Sequence, residues 1–192
     1  MQVHAPPHPP MPVALPEHPE KVRVILYPDP RLKKVSEPVA DDEFGPRLRT
    51  LVERMFELMR EHEGVGLAAP QVGVNKRLFV MNASLKTENP DEPDRVYINP
   101  VLSEPGGENE PFKEGCLSLP EINVNVTRPT ALRIQARDID GNEINETADG
   151  FITRVWQHET DHLDGILITD KMSPVEKMAN RRKLRELEAS FK

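Results

Sequence analysis

The sequence lacks three features that would each point to a class of protein. It has no apolar run near the roughly 18 residues that a membrane-spanning helix requires, so we expect no contact with a membrane. It has a single cysteine, Cys116, which excludes an intrachain disulfide and favours a reducing compartment such as the cytoplasm. Its net charge of -7 lacks the basic excess of domains that bind nucleic acid over their whole surface, although a local basic patch stays compatible with it.

The first twenty residues contain no Lys, Arg or Ser, so they resemble neither a signal peptide nor a transit peptide. They do contain seven prolines, each of which removes a backbone donor and disfavours helix in the residue before it. We therefore predict a flexible, proline-rich arm over residues 1–20. The remaining length suits one domain, with its main body at residues 21–172 and a charged helix of the same domain at residues 173–192.

The order of the predicted elements indicates an α+β domain. Apolar residues at helical spacing predict a helix over residues 46–62, with Gly64 placed to end it. The pair Asp140-Gly141 between two strand-like runs predicts a hairpin. Further strands are predicted at residues 22–30, 77–83 and 95–103, and further helices at residues 149–165 and 173–192. We expect mixed or antiparallel sheets around a central helix that carries the motif His158-Glu159-Thr160-Asp161-His162.

This motif predicts a metal site. Histidines at positions i and i+4 of a helix project from one face and can bind one ion. Glu159 lies beside them, where its carboxylate can accept a proton from an activated water and deliver it to a leaving group. The alternative is a helix with two surface histidines and a coincidental glutamate.

A catalytic site of this kind needs a third protein ligand. Position 168, where one class of such enzymes has a third histidine, is Ile168. Glu176 or Glu186 could replace it, but both lie in the charged terminal helix. Cys116 in the segment KEGCLSLP is the better candidate because a thiolate is a strong ligand for Fe, Zn or Co. A buried, unreactive Cys116 is the alternative.

A third segment, GVGLAAPQVG at residues 64–73, combines glycines that permit close backbone approach with Gln71. The amide of Gln71 can donate a hydrogen bond to an oxyanion. Taken alone, the segment is more typical of a tight connection between a helix and a strand than of a functional site.

Together the three segments resemble the motifs of the peptide deformylase family. They read GVGLAAPQ at residues 64–71, EGCLS at residues 114–118 and QHETDH at residues 157–162, in the order of the family. The resemblance spans roughly residues 22–170 and makes residues 21–172 the catalytic domain. It implies hydrolytic removal of the N-formyl group from the initiator methionine of newly synthesised peptides, with release of formate.

The resemblance also implies a role for individual residues. The metal ligands would be Cys116, His158 and His162, holding one divalent ion, Fe(II) by preference, with Zn, Ni or Co as substitutes. Glu159 would be the general base and acid, and Gln71 with the backbone N–H of Leu117 would stabilise the oxyanion. The residues expected to bind substrate are Gly64, Val65, Gly66, Phe112, Glu114, Gly115, Phe151 and Val155.

Two positions extend or depart from the family pattern. Asn123 stands where some members carry an arginine, whereas Arg128 matches a common basic position to which we assign no role.

The terminal helix carries a cluster of basic residues of the kind that some bacterial members use to bind the ribosome: Lys177, Arg181, Arg182, Lys183 and Arg185. We expect a cytoplasmic, bacterial-type enzyme rather than an organellar one. Two alternatives are a peptidase that cuts internal peptide bonds and an inactive homologue that only binds ribosomes.

Overall fold

The computed structural model describes residues 14–82, 84, 91 and 93–191. Within this part the chain forms an α+β fold, as predicted, with three α-helices and five strands. The helices are α1 (Pro46–Glu61), α2 (Gly150–Leu163) and α3 (Pro174–Ser190). The strands are β1 (Gly66–Ala68), β2 (Leu78–Met81), β3 (Arg95–Cys116), β4 (Leu119–Arg137) and β5 (Glu143–Asp149).

The five strands form one sheet in sequence order, each antiparallel to its neighbours. β3 and β4 make a long hairpin that extends well beyond the strand predicted at residues 95–103. β3 contains prolines and glycines in its middle, and three register shifts between Ile98 and Asn109 accommodate them as bulges. The hairpin matters for function because its tip carries Cys116.

Three apolar clusters hold these elements together. α1 packs its buried face, which includes Met55 and Met59, against β1 and β2. α2 packs Val155, Trp156 and Leu163 against the sheet. The third cluster joins the start of β4 to the segment before α3 and to the inner face of α3. α2 is therefore fixed beside the sheet, which positions its two histidines.

The end of α1 differs in detail from the prediction. The helix ends at Glu61, and the residue in the left-handed region is Glu63, with φ of 54°, rather than Gly64. The amide N–H of Gly64 donates to the carbonyl of Met59 at 2.8 Å, which closes the helix.

The strand predicted at residues 22–30 is wrong. The N–H of Ile25 donates to the carbonyl of Gln71, and the N–H of Tyr27 donates to the carbonyl of Ser118. These two acceptors belong to different segments, so residues 22–30 pair with no single neighbouring strand and form no ladder of β-sheet hydrogen bonds. Its apolar residues instead pack against two separate clusters, Val22 and Val24 against the first and Ile25 and Tyr27 against the third.

Part of the arm predicted at residues 1–20 is also packed. Residues 1–13 lie outside the described residues, so the prediction stays untested for them. Leu15 is buried in the same cluster as Leu48, and Pro19 is buried at the start of a short 3-10 helix. Leu15 and Pro19 pack in this way because apolar side chains among the prolines provide surface to bury, while the flexible arm itself stays a prediction. None of the described helices is long and apolar enough to cross a membrane.

Candidate active site

α2 brings the two motif histidines onto one face. The ring centroids of His158 and His162 lie 5.0 Å apart, as the i, i+4 spacing predicts. The helix begins at Gly150, whose φ of 61° turns the chain sharply from β5 into the helix. Both histidines therefore point toward the β3–β4 hairpin.

Cys116 meets these histidines from the tip of β3. Its Sγ atom lies 3.3 Å from His162 Nε2. The potential ligand atoms of Cys116, His158 and His162 all lie within 4.8 Å of one another. The structure thus brings together the three residues that the sequence predicted as ligands.

The donor set fits a transition metal. One thiolate and two imidazoles are the ligand types that Zn and Fe(II) accept, and three protein ligands leave a fourth position open. Ideal tetrahedral bonds place sulfur and nitrogen ligand atoms about 3.6 Å apart, close to the separation of Cys116 Sγ and His162 Nε2. Within the described part of the chain, Glu159 Oε2 is buried and has no hydrogen-bond partner, which suits a carboxylate that faces a water molecule held at the centre.

Burial and charge shift the pKa values of Glu159, His158 and His162. Burial raises the pKa of Glu159 to about 7, although the charge of His158 opposes the shift. Burial lowers the pKa of His162 well below its ordinary value. Burial would also lower the pKa of His158, but hydrogen bonds to Cys116 and Glu114 outweigh it and raise that pKa. Glu159 is thus a carboxylate whose proton affinity suits exchange near neutral pH.

Gln71 lies next to Cys116 with its amide fixed in orientation. Its Oε1 accepts a hydrogen bond from the backbone N–H of Ala68 at 2.9 Å. Its Nε2 donates to Cys116 Sγ at 3.4 Å and to Ser118 Oγ at 3.3 Å. Because the carbonyl side is held by the backbone, the NH₂ group must point toward the centre. Such a donor can stabilise negative charge that develops there.

Behind His158 lies a buried ionic cluster that the sequence did not predict. Glu114 accepts hydrogen bonds from His158 Nδ1, from Arg128 through two nitrogens and from Arg154. Asp161 in turn accepts from Arg128 Nη1 at 2.8 Å. Burial alone would raise the pKa of Glu114, but hydrogen bonds and charge from Arg128 and His158 lower it, so the carboxylate is ionised at neutral pH.

A cavity of about 620 Å³ opens onto the centre. It is large enough for one extended side chain and the peptide groups beside it. Its walls include all eight residues predicted to bind substrate, namely Gly64, Val65, Gly66, Phe112, Glu114, Gly115, Phe151 and Val155. Their contacts with a substrate stay predictions.

Other wall residues were missed by the sequence analysis, including His62, Lys113 and Arg154. Arg154 lies four residues before His158, so helical spacing was a signal that could have found it. Phe112 and Phe151 pack edge to face with centroids 6.1 Å apart, and Arg154 lies over the Phe112 ring. One side of the cavity is therefore aromatic.

The other positions considered in the sequence analysis lie outside the group of potential metal ligands. Glu176 accepts hydrogen bonds from Ser173 and Asn125 at the start of α3, and Glu186 lies near Arg182 on the same helix. Neither belongs to the group of potential ligands. Asn123 pairs with Gly115 in the β3–β4 register, beside the cavity wall.

An antiparallel α+β domain with a histidine pair and a glutamate on one helix, and a cysteine from a hairpin, defines a metal-dependent hydrolase. The family model described as polypeptide deformylase matches residues 21–178, and the chain belongs to that family. Its members hydrolyse the N-formyl group from the N-terminal formylmethionine of newly synthesised polypeptides, and this is the activity of the chain.

Individual relatives agree with this assignment. The chain is 41% identical over 167 residues to a peptide deformylase of Maricaulis maris, covering 87% of this chain and 94% of that one. It is 39% identical over 170 residues to a peptide deformylase of Thermotoga maritima, covering 88% and 98%.

Solved structures of the family have the same fold as this chain. A plant peptide deformylase superposes with a TM-score of 0.81 at 35% identity, covering 89% of this chain and 91% of that one. A Plasmodium falciparum peptide deformylase in complex with an inhibitor gives a TM-score of 0.77 at 39% identity, covering 88% and 100%.

Proposed function

We propose that this chain deformylates N-formylmethionyl peptides at the centre formed by Cys116, His158 and His162, with Glu159 as the general base and acid. The observation that carries the proposal is that Glu159, Gln71, Cys116 and His158 line one cavity, with His162 Nε2 3.3 Å from Cys116 Sγ behind them. A divalent metal bound by Cys116, His158 and His162 would polarise the formyl group and lower the pKa of a water molecule.

The protein's own groups then carry the proton and the charge. Glu159 Oε2 accepts a proton as the oxygen of water bonds to the formyl carbon. The carboxylic acid delivers that proton to the nitrogen of methionine as the C–N bond breaks, which yields formic acid and an amine; the remaining acid proton then passes to the amine, leaving formate and an ammonium group. The raised pKa of Glu159 suits both transfers. Gln71 Nε2 and the backbone N–H of Leu117 donate to the oxygen that becomes negative, which lowers the barrier.

The substrate side chain would enter the aromatic side of the cavity. Phe112, Phe151 and Val155 provide an apolar wall for a flexible thioether side chain. We propose that the peptide backbone lies along β1, where Gly64 and Gly66 line the cavity and β1 is the edge of the sheet. Pairing through main-chain groups would accept many sequences after methionine.

We propose Fe(II) as the native metal, with Zn, Ni or Co able to replace it. A thiolate ligand from Cys116 brings more negative charge than a third histidine and exposes the centre to oxidation. An iron-loaded enzyme would therefore lose activity in air, whereas a zinc-loaded one would keep it. We propose that the enzyme is located in the cytoplasm, where formylated nascent peptides arise.

The experiment uses protein purified without oxygen, metal analysis and formyl-Met-Ala with detection of formate. Formate release in proportion to bound iron supports the proposal. Cleavage of N-terminally blocked, unformylated peptides without formate release would instead indicate a peptidase. No formate release from the iron-loaded protein would refute the assigned activity.

We also propose that α3 binds the ribosome through its exposed basic residues Lys177, Arg181, Arg182 and Arg185. Lys183 is excluded from this surface because its Nζ donates to the carbonyl of Glu121 in the β3–β4 hairpin at 2.7 Å. Replacing the three arginines with glutamate tests the idea and leaves the packed residues Leu184 and Leu187 in place. Unchanged co-sedimentation with ribosomes would remove it.

A further inference from the structure

The buried carboxylate of Glu114 contacts His158 from the side of the ring that faces away from Cys116 and His162. Its Oε2 atom is 3.0 Å from His158 Nδ1, and the Glu114 side chain is only 5% exposed. A histidine that donates from Nδ1 has only Nε2 left to bind a metal. The hydrogen bond therefore decides both which nitrogen of His158 faces Cys116 and how the ring is turned.

Two arginines from different elements hold this carboxylate in place. Arg128 of β4 donates from Nε to Glu114 Oε1 at 2.7 Å and from Nη2 to Glu114 Oε2 at 2.9 Å. Arg154 of α2 donates from Nη1 to Glu114 Oε1 at 2.9 Å. Both Glu114 oxygens thus accept two hydrogen bonds each, and four donors fix the plane of the carboxylate.

The arginines are themselves anchored to the frame of the domain. Arg154 also donates to the carbonyls of Val126 and Glu110, at 2.9 Å each. Arg128 is paired on its outer side with Asp161, which also lies 3.1 Å from Lys171. The position of Glu114 is therefore tied to β3, β4 and α2 at once.

We propose that Glu114, clamped by Arg128 and Arg154, is a positioning residue that sets the orientation of His158 toward the metal. This inference rests on the proposed function, since it assumes that His158 is a ligand. It differs from the predicted contact of Glu114 with substrate, because its oxygens are occupied by protein donors. The carboxylate touches no reacting atom and acts only through His158.

The variant Glu114→Gln tests this role. In either orientation of the amide, its NH₂ group would face two N–H donors, so the arrangement around His158 must change. We expect the affinity for Zn(II) or Co(II), measured by competition with a chelator, to fall about 10- to 100-fold. We also expect the visible bands of the Co(II) form to shift, because the ligand field at His158 changes.

A matched control separates positioning from general loss of structure. Lys76 and Glu43 form another largely buried ion pair, 2.7 Å apart, outside the cavity wall. Glu43→Gln should destabilise the fold yet keep the metal affinity and the Co(II) spectrum of the wild type. Affinity of Glu114→Gln within threefold of the wild type, or an equal fall in both variants, would overturn the proposal.

A measurement on the unaltered protein decides the case if Glu114→Gln fails to fold. In the Zn(II)-loaded protein, the Nδ1–H proton of His158 should give a resolved, slowly exchanging NMR signal. A proton on Nε2 instead would overturn the proposal. Failure of the assigned deformylation would appear separately, as the absence of formate from a protein with normal metal affinity.

Discussion

The carboxylate of Glu159 lies directly against Gly66, in the space that a Cβ at that position would occupy. β1 and α2 approach so closely here that only the lack of a side chain allows the contact. Gly66 of the glycine-rich segment at residues 64–73 therefore leaves room for the proposed base.

The variant Gly66→Ala tests this relationship. The added methyl group must displace Glu159, and a displacement of about 1 Å can cost about a hundredfold in rate. We expect kcat/KM for formyl-Met-Ala to fall by about that factor while the metal content stays unchanged. Gly106→Ala is the matched control, because a Cβ there meets only ordinary contacts at 3.8 Å or more. Equal activities of the two variants would contradict the close approach.

Replacing the proposed base isolates its role from metal binding. Glu159→Gln keeps the shape against Gly66 and leaves Cys116, His158 and His162 intact. We expect normal metal content and a fall in kcat of about 10²- to 10⁴-fold, the usual contribution of a positioned acid or base. Metal analysis and formate release on the same sample check both parts. A kcat within fivefold of the wild type would assign the proton transfers to another group.

Gln71→Ala removes the proposed oxyanion donor. Loss of one such donor typically costs about 3 kcal/mol of barrier, roughly a hundredfold in kcat. Because Gln71 Oε1 also accepts from Ala68 N–H, the variant should also lower the free energy of unfolding by about 1 to 3 kcal/mol. Steady-state kinetics and urea unfolding separate the two effects. An unchanged kcat in a destabilised protein would make Gln71 structural only.

The sequence predicted the local part of this site and missed the part built by distant pairing. The i, i+4 spacing of His158 and His162 is a property of one helix, so it follows from a short segment. In the β3–β4 register, Arg128 lies opposite Glu110. The guanidinium of Arg128 nevertheless donates to Glu114, four residues further along β3. A contact of this kind depends on register, bulges and side-chain reach, none of which a single sequence specifies.

The failed strand prediction at residues 22–30 has a related cause. Alternating apolar residues indicate that one face of an extended segment is buried, but they do not say against what it packs. Here Ile25 bonds to Gln71 and Tyr27 bonds to Ser118, so the segment joins two of the predicted motifs instead of extending the sheet. The spacing of the motifs left Cys116, Glu176 and Glu186 open as the third ligand, and the family resemblance singled out Cys116.

The attachment of α3 to the hairpin should depend on pH through Glu176. Hydrogen bonds from the backbone of Asn125 and Ser173 lower the pKa of Glu176 to about 2 from its ordinary value of 4.5. A lowered pKa in the folded state means that the stabilisation is present above about pH 4.5 and is lost as the pH falls toward 2. We expect Glu176→Gln to lower the Tm at pH 7.

The difference in Tm between wild type and Glu176→Gln should shrink steadily between about pH 4.5 and pH 2, because Glu176 takes up its proton in the unfolded chain before it does so in the folded one. Glu186→Gln, on the same helix beside Arg182, is the control and should change the Tm little at any pH because its ion pair is exposed. A pH-independent difference would mean that Glu176 acts through packing rather than charge.

The aromatic wall of the cavity should control substrate affinity more than rate. Phe112 packs against Phe151 and under Arg154, yet its side chain stays 48% exposed, so a partner that covers it would gain apolar contact. We expect Phe112→Ala to raise the KM for formyl-Met-Ala about tenfold, the value of roughly 1.4 kcal/mol of lost burial, with a smaller change in kcat. Phe191→Ala removes a phenylalanine of similar exposure, 46%, beyond the end of α3, and should leave KM unchanged. A KM for Phe112→Ala equal to that of Phe191→Ala would move the methionine side chain away from this wall.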